Sequence, residues 1–187
     1  MELMVVVALA AVLMGLGVPA FREFVQNGRL TGAANEMLMT IIATRNEAVR
    51  RQTTVSFCPS ADPAADEPSC DDDATAGYIS FVDANADCTV DAGEEVVANF
   101  SIHSEVKSDV NATCISFAAN GFRRVVPGQP TTALFLFCDS RGLNKIGDAD
   151  VSYARGLEVL PTGRAAVSRV YSELTTWSSA ADPVSCP

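Results

Sequence analysis

The densest run of oxygen-bearing side chains is Asp83, Asn85, Asp87, Thr89, Asp91 and Glu94. Carboxylates or amides at loop positions 1, 3, 5 and 9, with Glu at 12, reproduce the spacing of an EF-hand calcium loop; position 7, Thr89, would give its carbonyl. Two features oppose that chemistry. Cys88 stands at the sixth position, where glycine normally makes the sharp turn. The flanks read as strands rather than helices. The competing expectation is an Asx-rich turn that hydrogen-bonds its own backbone. We expect the turn and keep calcium, held by those six residues, as the alternative and the only candidate cofactor.

Six cysteines, Cys58, Cys70, Cys88, Cys114, Cys138 and Cys186, are scattered without a CxxC pair. An even, dispersed set fits disulfides in an oxidising compartment better than a zinc site. Their pairing stays open among 15 possibilities, although a Cys58–Cys70 bridge would pin the acidic loop over 59–76. The single His103 excludes a two-histidine metal site. No GxSxG elbow, P-loop or HExxH run is present, so no catalytic residue is assigned and no enzyme is expected.

The elements that hold these groups begin with an apolar segment. Leu3 to Phe21 carries no charge and as a helix would span roughly 28 Å, close to a bilayer's hydrocarbon thickness. A cleaved secretory signal would have a shorter core and a basic start, whereas Glu2 is acidic. Beyond it, Leu30, Ala34, Met37, Leu38, Ile41, Ala48 and Val49 recur at helical spacing. Asn35, Glu36, Thr40, Thr44, Glu47 and Arg51 are expected on the opposite face, with Pro19 and Gly28 as bend points. The chain thus divides into a membrane-spanning helical half (1–21), an amphipathic half (22–52) and a head (53–187). Strands are expected over 53–58, 77–82, 95–101, 114–118, 133–138, 155–160 and 165–171. Strand follows strand without helices between, so the fold class is α+β, a long helix on a mostly antiparallel head of two small sheets.

Charge is polarised. The net charge is −10, and residues 52–109 hold 13 acids against the single base Lys107. A general nucleic-acid binder is disfavoured, because phosphate affinity comes from clustered Lys and Arg.

The string over residues 2–21, ELMVVVALAAVLMGLGVPAF, resembles the N-terminal signature of type IV pilins and pseudopilins. The stretches Arg29–Glu36, Ala43–Arg51 and Thr54–Cys58, with LFLFCDSRG at 134–142, are similar to the GspH/FimT branch. The resemblance implies a pilin fold and a basic leader cut by a prepilin peptidase. It also implies an inner-membrane assembly platform and other pilin or pseudopilin subunits as partners, and membrane lipid around the helix. The motif glutamate maps onto Glu2, where the family uses it to meet the N-terminal amine of a neighbouring subunit. Met1 directly before it departs from the pattern. The branch also commonly carries a D-x-N/D-type turn near 83–94, in a mainly structural role.

The function so implied is a minor pseudopilin of a type II secretion system, single-pass in the inner membrane, its head periplasmic and finally near a filament tip. The alternative is a FimT-like minor pilin of a type IV pilus, and a further one a secreted calcium-binding disulfide domain. FimT-like pilins that take up DNA are expected to carry a Gly-Arg-x-Arg element. This chain has Gly163 and Arg164, but the second arginine falls at Arg169. Five apart on a strand, Arg164 and Arg169 are expected on opposite faces, a weak clamp for DNA even with help from Arg123, Arg124 or Arg155.

Overall fold

The computed structural model describes residues 2–71, 76–179 and 184–186. One continuous helix, α1, runs over Glu2–Arg51 with Pro19 inside it. Arg50 and Arg51 in its last turn complement the negative end of the helix dipole, and Gln52, at φ 55°, ends it. The expected apolar stripe is the buried one: Leu30, Ala34, Met37, Ile41 and Ala48 are all sealed against the head. Two expected face assignments are corrected. Thr40 and Thr44 are buried, because each hydroxyl donates to the carbonyl four residues back (2.9 and 2.7 Å) and so needs no water. Val49, expected on the apolar face, is 42% exposed.

The head has two antiparallel four-stranded sheets. In the first, β1 (Val55–Ser60) and β2 (Gly77–Val82) are central, flanked by β3 (Val96–Ser101) and, taking elements in chain order, β5 (Ile115–Phe117). The second has the order β4 (Lys107–Val110), β6 (Ala133–Cys138), β7 (Val151–Val159), β8 (Ala165–Val170). All seven expected strands are present, 77–82 and 133–138 with the expected ends and the other five with shifted ones. β4 was not expected, nor was a short helix α2 (Tyr171–Ser178) after β8. Leu174 and Trp177 of α2 lie over Gly156 of β7, where a Cβ would come within 2.3 Å of both side chains.

The α1 stripe packs across both sheets on one aromatic core. Phe57 and Tyr78 stack at 5.3 Å, and Phe135 from the second sheet meets both edge-on at 6.2 and 5.7 Å. Such pairs add to area burial, and here they tie sheet to sheet. Burial of the Tyr78 phenol pushes its pKa up, and its hydroxyl donates to Ser108 of β4 at 3.3 Å.

All six cysteines are paired: Cys58–Cys70, Cys88–Cys114 and Cys138–Cys186. The last closes a span of 48 residues and holds the C-terminal segment on the second sheet, beside buried Leu136 and Val184. By the loop-closure relation, a cross-link over such a span stabilises by about 4 kcal/mol, against about 3 kcal/mol for Cys58–Cys70. Replacing Cys138 and Cys186 together by Ser is therefore expected to lower the denaturant midpoint more than the Cys58/Cys70 double variant does. Equal or reversed losses in paired denaturation curves would refute this ordering.

Candidate functional site

Glu2 occupies the first turn of α1, where the positive end of the helix dipole favours a carboxylate, and its side chain is exposed. Among its described residues, the apolar segment behind it is not buried by the head. Leu3, Met4 and Leu13 are each more than 70% exposed, and an 18-residue window of this half is entirely unburied within the protein. An apolar surface of that extent is not left in water by a folded subunit. Length and composition suffice to cross a membrane.

The six oxygen-bearing residues of the 83–94 loop lie together, and hydrogen bonds organise them. Asp83 is fully buried; its Oδ1 accepts from the Asp87 amide (3.1 Å) and its Oδ2 from the Cys88 amide (3.1 Å) and Ser56 Oγ (2.5 Å). Asn85 donates to Asp87 and Asp91 (2.8 and 2.9 Å), and the Thr89 amide donates to Asp87 Oδ1 (2.8 Å). Glu94 accepts from the amides of Ala84 and Asp91 (2.9 and 3.1 Å). Cys88, the residue that stood against a sharp turn, takes φ 67° and is held there by its bridge to Cys114. Among the described residues no group of three or more His, Cys, Asp or Glu side chains is disposed to hold a metal ion. Arg51 fixes the loop's outer end through a two-pronged pair with Glu95 (2.7 and 3.0 Å), which holds that carboxyl below its ordinary pKa.

Arg164 and Arg169 are not brought together. Arg164 is exposed in the turn before β8, and Arg169 is exposed near the strand's far end. Two of the expected helpers are committed elsewhere. Arg123 donates to the carbonyls of Thr131, Val159 and Pro130. Arg155 is 4% exposed, and its Nη1 donates to the carbonyls of Ser152, Tyr153 and Ala154, which the register shift between β7 and β8 leaves over. Burial holds both guanidinium pKa values below the ordinary one.

Sequence reasoning missed the residue that fastens the far end of α1. Arg45 Nε donates to the Gly121 carbonyl (2.8 Å), in the turn against which Gly163 closes. Its sequence signal was its place in the Ala43–Arg51 stretch that carries the resemblance, which gives it no partner.

Among solved structures, the chain is similar to the type IV minor pilin FimU of Pseudomonas aeruginosa strain PAO1. Identity is 20%, the match covers 79% of this chain and 93% of that one, and the TM-score is 0.48. It is also similar to the minor pseudopilin EpsH from the Type 2 Secretion System of Vibrio cholerae. There identity is 7%, coverage 75% and 97%, and the TM-score 0.48. No curated protein matches the sequence. Residues 33–163 match the family model described as Type II transport protein GspH, from the buried stripe of α1 through the turn at Gly163. The chain belongs to the GspH family of pilin-like subunits.

Proposed function

We propose that the protein is a minor pseudopilin of a type II secretion system, held in the inner membrane by the first half of α1 with its head in the periplasm, and built into a periplasmic filament that aids protein export. The observation that carries this reading is an uncharged helical run, Leu3 to Phe21, none of whose described residues is buried by the head. Other subunits' helices would cover it after assembly and lipid before it. In that low-dielectric bundle Glu2 would set the stagger by pairing with a neighbour's amine, since an unpaired buried carboxylate costs several kcal/mol.

The competing reading is a FimT-like minor pilin. The separation of Arg164 from Arg169 and the net charge of −10 favour the secretion branch over DNA capture. Deleting the gene in its native host and scoring exoprotein secretion and surface pili from one culture distinguishes them. Lost secretion with intact pili is expected; lost pili with intact secretion would assign the pilus. Glu2→Ala is expected to leave the head folded yet to fall out of the filament, as read by cross-linking to neighbouring subunits. Normal incorporation of that variant would remove Glu2 from the assembly role. A secreted domain would instead show a mature N-terminus beyond residue 20 by mass spectrometry.

A further inference from the structure

At the foot of the head a cleft of about 430 Å³ opens between α1 and the start of β4, lined by Gln26, Arg29, Ser104, Glu105, Lys107 and Asp139 among others. Its place relative to the apolar helix follows from register. Lys107 pairs with Cys138, so Asp139 and Ser140 leave β6 at the same sheet end that meets Gln26 and Arg29. Arg29 lies eight residues beyond Phe21, about 12 Å along the helix. The headgroup layer on each side of the hydrocarbon is several ångströms deep, and a lysine or arginine stem reaches several more.

The cations there are differently engaged. Arg29 pairs with Glu105, whose side chain is still 62% exposed. Asp139 is nearly enclosed and taken by Arg141 through Nε and Nη2; burial would raise its pKa, but those bonds hold it below the ordinary value. Lys107 is exposed and has no carboxylate within salt-bridge distance among the described residues. It is also the only base among the 13 acids of residues 52–109. An unpaired cation in a polar cleft facing the membrane, on a chain otherwise repelled by anionic surfaces, is placed for a phosphate.

We propose that this cleft is a phospholipid headgroup site, in which Lys107 and Arg29 hold the phosphate of a glycerophospholipid from the bilayer that α1 spans, with Ser104 and Ser140 as further donors. The inference rests on the membrane-anchored reading. Its consequence is that the head stands on the bilayer in one orientation until the subunit is extracted into a filament. Each cation near an anionic surface is attracted to it only modestly. The tie is therefore strong enough to orient a tethered head and weak enough to release.

The test uses the full chain, reconstituted in phosphatidylglycerol-containing nanodiscs and, separately, in phosphate-free maltoside micelles. Amide hydrogen exchange over residues 103–107 is the readout. Exchange is expected to be severalfold slower in the nanodiscs, and Lys107→Glu is expected to abolish that difference while leaving the thermal midpoint in place. Lys145→Glu, outside the cleft, is expected to leave it unchanged. Equal exchange in nanodiscs and micelles, with α1 protected in the bilayer, would overturn the headgroup site alone. Equal protection by inorganic phosphate added to the micelles would reassign the cleft to a free anion. Failure of the chain to enter nanodiscs at all would overturn the membrane reading beneath it.

Discussion

Replacing Asp83 by Ala is expected to cost the head about 3–5 kcal/mol, because it removes one buried acceptor from three hydrogen bonds and leaves the part-buried Cys88 amide without its partner. The carboxylate is fully buried and joins three parts of the chain: Ser56 on β1, the amides of Asp87 and Cys88 in the loop, and, through Ser56 Oγ, Ser116 Oγ on β5 at 2.6 Å. Water cannot replace it without opening the sheet. At 2–4 °C per kcal/mol for a chain of this size, the thermal midpoint falls by roughly 10–15 °C. Near-UV circular dichroism of the detergent-solubilised chain is the measurement, since Trp177 and all three tyrosines lie in the head. Asp83→Asn keeps one acceptor but turns an amide toward a donor, and roughly half the loss is expected. A fall of only a degree or two for Asp83→Ala would mean the loop is held by something else. One measurement on the unaltered protein identifies a possible substitute. Calcium or a chelator at millimolar levels is expected to leave the midpoint in place, because the Asp83 and Glu94 oxygens already accept from backbone amides. A clear rise with calcium would make the loop a metal site after all.

Gly163→Ala is expected to cost about 3 kcal/mol, although it adds a single methyl. Gly163 has φ +76°, and a Cβ there would lie 2.2 Å from the Gly121 carbonyl oxygen and 3.0 Å from Arg45 Nε. That oxygen is the acceptor for Arg45, so the methyl pushes apart the two turns and the helix end they grip. The proper control is Gly128→Ala. Its φ is similar, +80°, but no atom lies within 4 Å of the added Cβ, so only the conformational part, about 1 kcal/mol, is expected. Equal losses at both sites would show that the close approach contributes nothing. Faster amide exchange over 43–51 in Gly163→Ala alone would locate the damage at the helix end.

Much of the architecture is written locally. The apolar half of α1 is legible because a run of uncharged residues needs no partner to be recognised. The stripe from Leu30 to Ala48 is legible because helical spacing repeats within a few turns. Strands such as Gly77–Val82 and Ala133–Cys138 announce themselves by β-branched and aromatic residues between turn formers. The family, too, shows in the contiguous N-terminal strings.

What the chain alone left open depends on residues distant in sequence. Lys107–Val110 is a polar run that becomes a strand only because β6 offers it an edge, from Cys138 to Phe135. The cysteine pairing required the fold, because 26 and 48 residues separate the partners of the two longer bridges. The burial of Thr40 and Thr44 required it as well, since a hydroxyl that bonds backward along its own helix is polar in composition but not at its surface. Arg29 and Lys107, 78 positions apart, share one cleft. Composition and period are settled between neighbours along the chain, and so a sequence displays them. Partners are chosen by packing across it, where burial of a common core decides which of many compatible contacts are made.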